Sequence, residues 1–550
     1  MRHFTTVALT GVLLSVALTG CGDNAPASDG GPPVMRRLTE DQYRQIIADV
    51  FGPDIVIGGR FDPIVRVDGL VSVGAGATAI NSAAFERYDT IGRSVAAQVV
   101  DPVRRDMLVP CRPADPAKAD DACARQFFAG VGRLLFRRTL TETELAGYAA
   151  LADDAANRLG NFYVGISAAL SAMLVRPEFL FITDTTEPDP DRPGEVRLTA
   201  KAKATRLSFL LWNTTPDDAL LTAAEQGQLD NAKDLARHVD RMLASPRLEA
   251  GVRALFADML AFESFETLQK DPVIYPALGL VAIEHSREQL LRTITDHLLV
   301  RGEGYPGLFT TRKTVMSGPL GLVYRVPVAD PDAWIDFEFP AGDQRVGIQA
   351  LIGFSALHSH PGRSSATLRG KAVREILMCQ KVPDPPANVD FTLVSDSTNP
   401  IHKTARQRLD AHNTEPSCVG CHKLMDPIGL SLETLDGAGQ LRTTENGVPI
   451  DVSGELDGVA YSDAIGLGAA IAQNAAVPAC LVSRAVAYGL GRTPSTEERA
   501  WLAAVEQRFA KDGYGLKSLL RAIAVSPSFY AVTPPADAGT VASVVEDKHS

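Results

Sequence analysis

The chain has 550 residues, 45% of them hydrophobic and 22% charged, with a formal net charge of -12. A chain this long outgrows a single core and predicts three or more domains, and its excess of acid argues against a nucleic-acid partner. Beyond the amino terminus no apolar run approaches the length needed to cross a bilayer.

The chain opens Met1-Arg2-His3, continues with an apolar run from Val7 to Leu18, and reaches Leu18-Thr19-Gly20-Cys21. A short basic start, an apolar stretch too short to span a bilayer and small residues before a cleavage point are the layout of a signal peptide over 1–20. Leu18 to Cys21 also resembles the lipobox of bacterial lipoproteins, which implies lipid on Cys21. The Ala/Ser/Gly/Pro-rich run that follows reads as a flexible tether over 21–36. The expected location is extracytoplasmic, lipid-anchored to a bacterial membrane at its periplasmic face or the cell surface. Ordinary secretion, with Cys21 discarded or free, is the alternative.

Helical patterning dominates the rest. Thr39 and the acids after it open a helix with an apolar face of Tyr43, Ile46, Ile47 and Val50, stopped by Gly52-Pro53. The spacing predicts further helices over 124–136, 141–159, 162–174, 200–212, 232–243 and 248–260. Strand signal is sparse. The clearest is Asn446-Gly447 between Leu441–Thr443 and Val448–Ile450, a hairpin turn whose second arm Pro449 restricts to an edge. Linkers are expected at Thr185–Gly194, rich in Asp, Glu and Pro, and at Val382–Pro386. This punctuation divides the chain into helical domains over 37–105, 106–184 and 196–335, a segment over 340–460 that carries the cysteine motif below, a helical domain over 461–532 and a disordered tail over 533–550.

One internal echo crosses these divisions. Phe136-Arg137-Arg138-Thr139-Leu140-Thr141-Glu142 leads through a helix, a turn and a second helix to Arg176-Pro177-Glu178-Phe179. Gly491-Arg492-Thr493-Pro494-Ser495-Thr496-Glu497 leads in the same order to Ser526-Pro527-Ser528-Phe529. The shared order of cap, helix, turn and helix suggests two copies of a helical hairpin.

Cys418-Val419-Gly420-Cys421-His422 is the most informative stretch, because C-x-x-C-H in an exported chain is the attachment signature of a c-type haem. On a helix, residues three and four apart share a face, so both thiols reach the haem vinyl groups while His422 turns toward the iron. The competing readings are a chance match, a redox dithiol or half a zinc site. A zinc site needs a second ligand pair, and the nearest other cysteines are Cys379 and Cys480. Of the seven cysteines, lipid and haem take Cys21, Cys418 and Cys421. Cys111, Cys123, Cys379 and Cys480 remain for disulfides. Four cysteines allow three connectivities; proximity favours Cys111 with Cys123, leaving Cys379 with Cys480.

The sixth iron position decides between electron transfer and ligand chemistry. His412 is the leading candidate, since Pro416 lets the chain turn it toward the other haem face. His360, with His358, is the alternative and Met378 a third. Met425, three residues past His422 on the same helix, falls on the wrong face. Asp426-Pro427 is expected to end the haem helix and Gly429 to permit a sharp turn. Arg369 and Arg374 are candidate partners for haem propionates. The chain carries no G-x-S-x-G elbow, H-E-x-x-H, phosphate-binding loop or dinucleotide fingerprint.

With these residues in view, the chain resembles the planctomycete-type cytochrome c-like family, exported proteins built from several consecutive domains of unknown function. The resemblance runs from about Leu38 to Phe529. It rests on Arg206 to Asn213 with Pro216-Asp217, on Leu368-Arg369-Gly370, and on Arg406 to His412 leading into Cys418, Cys421, His422, Asp426-Pro427, Gly429, Glu433, Asp436, Gly439 and Arg442. Tyr488 to Arg492 and Ser526 to Phe529 also fit, whereas Ala366 stands where family members usually carry proline. The resemblance implies a haem-binding motif and no particular activity. The expected fold is mainly α, helical bundles with a carboxy-terminal cytochrome c-like haem module and a short β-hairpin. The expected function is single-electron transfer by one covalent haem c, with the membrane and a redox protein as partners. The alternatives are a surface scaffold or binding lipoprotein with a structural haem or metal site, and a mono-haem oxidoreductase such as a peroxidase.

Overall fold

A computed structural model of the chain describes residues 28–384, 390–413 and 416–534, and of residues 416–418 the backbone alone. The signal peptide, Cys21, the last residues of the Val382–Pro386 spacer and the tail beyond residue 534 lie outside the described residues. The fold is mainly α. Thr39 accepts from the Gln42 amide while the Gln42 side chain returns to the Thr39 amide, and this reciprocal cap starts the helix Glu40–Phe51 with Tyr43, Ile46 and Ile47 buried. The helices Asp121–Leu135, Glu142–Leu159, Phe162–Met173, Ala200–Leu211, Ala232–Leu243 and Arg247–Met259 stand where the periodicity puts them, within a few residues.

Strands are short and occur only as two-stranded pairs among the described residues. The Asn446-Gly447 hairpin forms with arms Thr444–Glu445 and Val448–Pro449, both turn residues at positive φ as the tight turn demands. Its first arm is shorter than expected, because Leu441 bridges back to Leu435. Two segments read as linker and tether are built into the fold. Within Thr185–Gly194, Thr186–Pro188 pairs antiparallel with Val196–Leu198, fastened across the ladder by Arg197 Nε on Glu187 at 2.8 Å. Upstream, the Ser28 amide donates to Ser528 Oγ, Gly31 bridges to Val532, and Met35–Arg37 pairs with Phe181–Thr183. Composition misleads in both places because backbone pairing asks nothing of the side chains.

Two large apolar cores organise the helices, with a small third cluster of Ala366, Leu409 and Leu430. One gathers residues from Leu38 to Ile182, with Phe209. The larger runs from Leu70 to Val532 and draws on the segments 196–335, 340–460 and 461–532 together, so Ile428 and Leu432 beside the cysteine motif share a core with Trp212, Leu308, Leu481 and Trp501. One disulfide adds to each of these two cores. Cys111 joins Cys123, and Cys379 joins Cys480 with a Cα separation of 5.3 Å.

The internal echo is structural. Arg138 grips Glu144 with two bonds, Nη2 to Oε1 at 2.6 Å and Nη1 to Oε2 at 2.7 Å, and Glu144 also closes a reciprocal cap with Thr141. Arg492 grips Glu498 in the same atom pairing, at 2.8 and 2.7 Å, and Glu498 closes a reciprocal cap with Ser495. Each copy ends in a one-turn helix begun by proline, Pro177–Leu180 and Pro527–Tyr530.

Candidate functional site

The site is built where the helix Ala366–Ala372 crosses the motif helix Pro416–Leu430. Glycine decides how close they come. A β-carbon on Gly370 would fall under 3.0 Å from the Met425 carbonyl oxygen, and one on Gly429 under 3.0 Å from that of Ala366. Backbone therefore meets backbone at two points of the crossing. This corrects two readings: Asp426-Pro427 does not end the helix, which carries Pro427 inside it and runs on to Leu430, and Gly429 serves close approach rather than a turn. Ser365 caps the crossing helix by accepting from the Leu368 amide, so Ala366 is its first residue, a position where proline is equally at home. The departure from the usual proline thus leaves this corner intact.

The motif helix points His422 toward Asp426 one turn on. His422 Nδ1 lies 2.8 Å from Asp426 Oδ2, and this hydrogen bond holds the imidazole pKa above its ordinary value against the opposing effect of burial. Asp426 is only 4% exposed. It accepts twice more, from Thr367 Oγ1 on Oδ1 at 2.9 Å and from Asn413 Nδ2 on Oδ2 at 3.2 Å. With Nδ1 engaged, His422 Nε2 is the nitrogen left for a ligand.

His422 and Cys421 line a cavity of about 470 Å³ whose walls include Ala366, Leu368, Val382, Phe391, Leu409 and Met425. The Cys421 thiol is free; the Cys418 side chain lies outside the described residues. His412, at the end of the helix Ala405–His412, faces the same cavity, its ring centre 5.5 Å from that of His422 and its plane turned by 74°. Phe391 stacks on His412 at 6.3 Å. Among the described residues His412 Nε2 is buried without a hydrogen-bond partner. His360 also lines the cavity.

Other expected participants stand elsewhere. His358 and Met378 do not line the cavity; His358 packs edge-on against Phe354, and burial drives its pKa down to about 3, so it is neutral. Arg369 is fully buried and donates to the carbonyls of Leu432, Leu435 and Asp436, while Arg374 is spent on the Leu424 carbonyl, Gln380 and Asp457. Both arginines knit the helix crossing and neither faces the cavity. The cations that do are Arg363, Lys371 and Arg408. Arg408 is paired with Glu445 at 2.6 Å, whereas Arg363 has no carboxylate within 4.0 Å among the described residues and touches only Ser395 Oγ and the Ser364 carbonyl. No sequence pattern marks Arg363; only the fold brings it to this wall. Among the described residues, no group of three His, Cys, Asp or Glu side chains converges as a bare-metal site.

Fold and site together define a mainly helical, disulfide-linked protein whose apolar cavity presents one described thiol and two facing imidazoles. Four consecutive planctomycete-type domains make up most of it, each matching a family described as a protein of unknown function: DUF1595 over 123–184, DUF1592 over 198–326, DUF1588 over 345–445 and DUF1585 over 457–529. The cavity falls within the third of these. No curated protein and no solved structure matches the chain.

Proposed function

We propose that this chain is a c-type haem protein that passes single electrons outside the cytoplasm, tethered to a membrane through lipid on Cys21. The observation that carries the reading is the convergence of Cys421, His422 and His412 on one apolar cavity, with His422 Nδ1 already engaged and His412 Nε2 buried and, among the described residues, unpartnered. An orphaned buried nitrogen costs free energy unless something binds it, and a haem iron is a fitting partner at this donor set. When bound, a haem supplies an iron that takes up and gives back one electron.

Cys418 and Cys421 would each add S–H across one vinyl group, sulfur to one carbon and hydrogen to the other, with nothing leaving. His422 would hold the iron through Nε2, and His412, which lines the same cavity, would be the second imidazole available to it. Arg363 is the cation available to a propionate, in place of Arg369 and Arg374; Lys371 also lines the cavity but is already paired with Glu375 and Asp384. The mostly apolar lining would lower the dielectric around a bound haem, which together with the imidazoles would tune its potential.

Protein matured in a host with a cytochrome c maturation system should keep its haem stain after denaturing electrophoresis, because thioethers survive where axial bonds do not. Loss of both Cys418 and Cys421 should abolish the stain. A parent that never stains returns the chain to the scaffold reading.

A further inference from the structure

We infer that Asp426 is a positioning residue that lowers the reduction potential of the iron bound at His422; the inference rests on the haem reading above. Asp426 is a carboxylate 4% exposed, and among the described residues no Lys or Arg lies within 4.0 Å of it. Its one charge-bearing partner is the His422 imidazole, at 2.8 Å. A buried charge left without a cation is costly, so the pair is strengthened by drawing positive charge onto the ring. A hydrogen bond from Nδ1–H to a carboxylate makes Nε2 a stronger donor than one to a neutral carbonyl. A stronger donor stabilises the oxidised iron more than the reduced iron, and the potential falls.

The surroundings of Asp426 grade the effect. Thr367 Oγ1 holds Oδ1 at 2.9 Å and Asn413 Nδ2 shares Oδ2 with His422 at 3.2 Å. Each takes part of the carboxylate's hydrogen-bonding capacity, so each moderates its pull on His422. Asp426 and Thr367 therefore act in opposite directions on one ligand. A purely structural role would make loss of either loosen the site in the same direction.

The test is the potential of haem-loaded, full-length protein, read by spectroelectrochemical titration, with haem attachment scored separately by the stain. Asp426→Asn keeps the shape and an acceptor for Nδ1–H but removes the charge. It should favour the reduced form at least tenfold, which for one electron is about 59 mV upward. Thr367→Val should move the potential the other way by a smaller factor. Stained Asp426→Asn protein with the parent's potential, or both variants shifting in one direction, overturns the inference and leaves the haem reading standing. A parent that takes no haem overturns both. If Asp426→Asn fails to mature, Thr367→Val decides: a downward shift supports the inference, no shift or an upward one overturns it.

Discussion

Gly370 lies so close to Met425 that a side chain on the first would occupy the carbonyl oxygen of the second. The neighbour is helix backbone, which cannot swing aside as a flexible side chain would. Gly370→Ala and Gly429→Ala should therefore each cost about 1–3 kcal/mol or more, the range for forcing atoms into a packed interior. Gly420, between the two motif cysteines, is the control. It has open space around it and an ordinary helical backbone, so Gly420→Ala should stabilise by about 0.5–1 kcal/mol. Urea midpoints of the three variants check both signs.

The motif helix, its histidine, the Asn-Gly hairpin and the repeated order of cap, helix, turn and helix are legible because each is local: cap, periodicity and turn residues sit within a few positions of one another. Gly429 and Asp426-Pro427 read as punctuation because glycine and proline usually punctuate. Only the crossing partner, Ala366, reveals that Gly429 makes room for backbone. Arg369 reads as a free guanidinium but is fully buried against carbonyls that follow the motif helix, while Arg363, one of the cations that do face the cavity, carries no local signature. Such assignments depend on which helices cross, and a period cannot encode that. The Thr186–Leu198 hairpin leaves no mark in the sequence because its strands are three residues long and the turn between them has the composition of a linker.

Glu144 gives the first hairpin a defined acid response. Its two bonds to Arg138, with help from the Thr141 amide and hydroxyl, lower its pKa from 4.5 to about 2. Its folded-state pKa lies below its unfolded one, so its contribution is fully present above about 4.5 and is lost as the pH falls toward about 2. The side chain is 27% exposed, and solvent screening brings the contribution to the order of 2 kcal/mol at neutral pH. Glu144→Gln should show that loss at pH 7 and approach the parent near pH 2, measured as the difference in urea midpoint across the range.

The two disulfides should differ in what they protect. In the chain-entropy model, Cys111–Cys123 with a separation of 12 is worth about 3 kcal/mol, and Cys379–Cys480 with a separation of 101 about 4.7 kcal/mol. The second also ties the end of the segment Val373–Leu377, which continues the crossing helix, to the helix Ala476–Leu490. Cys379→Ser with Cys480→Ser should thus lower stability more and also reduce haem retention during maturation; Cys111→Ser with Cys123→Ser should lower stability alone. Thermal melts and the haem stain separate the two effects, and non-reducing peptide maps that find crossed pairs would refute the connectivity.

The sixth iron position discriminates the carrier from an enzyme. His412 and His422 line one cavity with ring centres 5.5 Å apart and Phe391 stacked on His412, so both imidazoles would be available to one iron. Two imidazoles make the iron low-spin in both oxidation states and leave added ligands little room. His412→Ala should then give a high-spin ferrous form whose carbon monoxide affinity rises by about tenfold or more, some 1.4 kcal/mol. His360→Ala, at the same cavity but without the facing geometry, should leave the spectrum unchanged. Absorption spectra of the ferrous protein with and without carbon monoxide read both variants. A parent that binds carbon monoxide readily, with a His412→Ala spectrum identical to its own, would make the iron five-coordinate and His412 a wall of the cavity, and the oxidoreductase reading would replace the electron carrier.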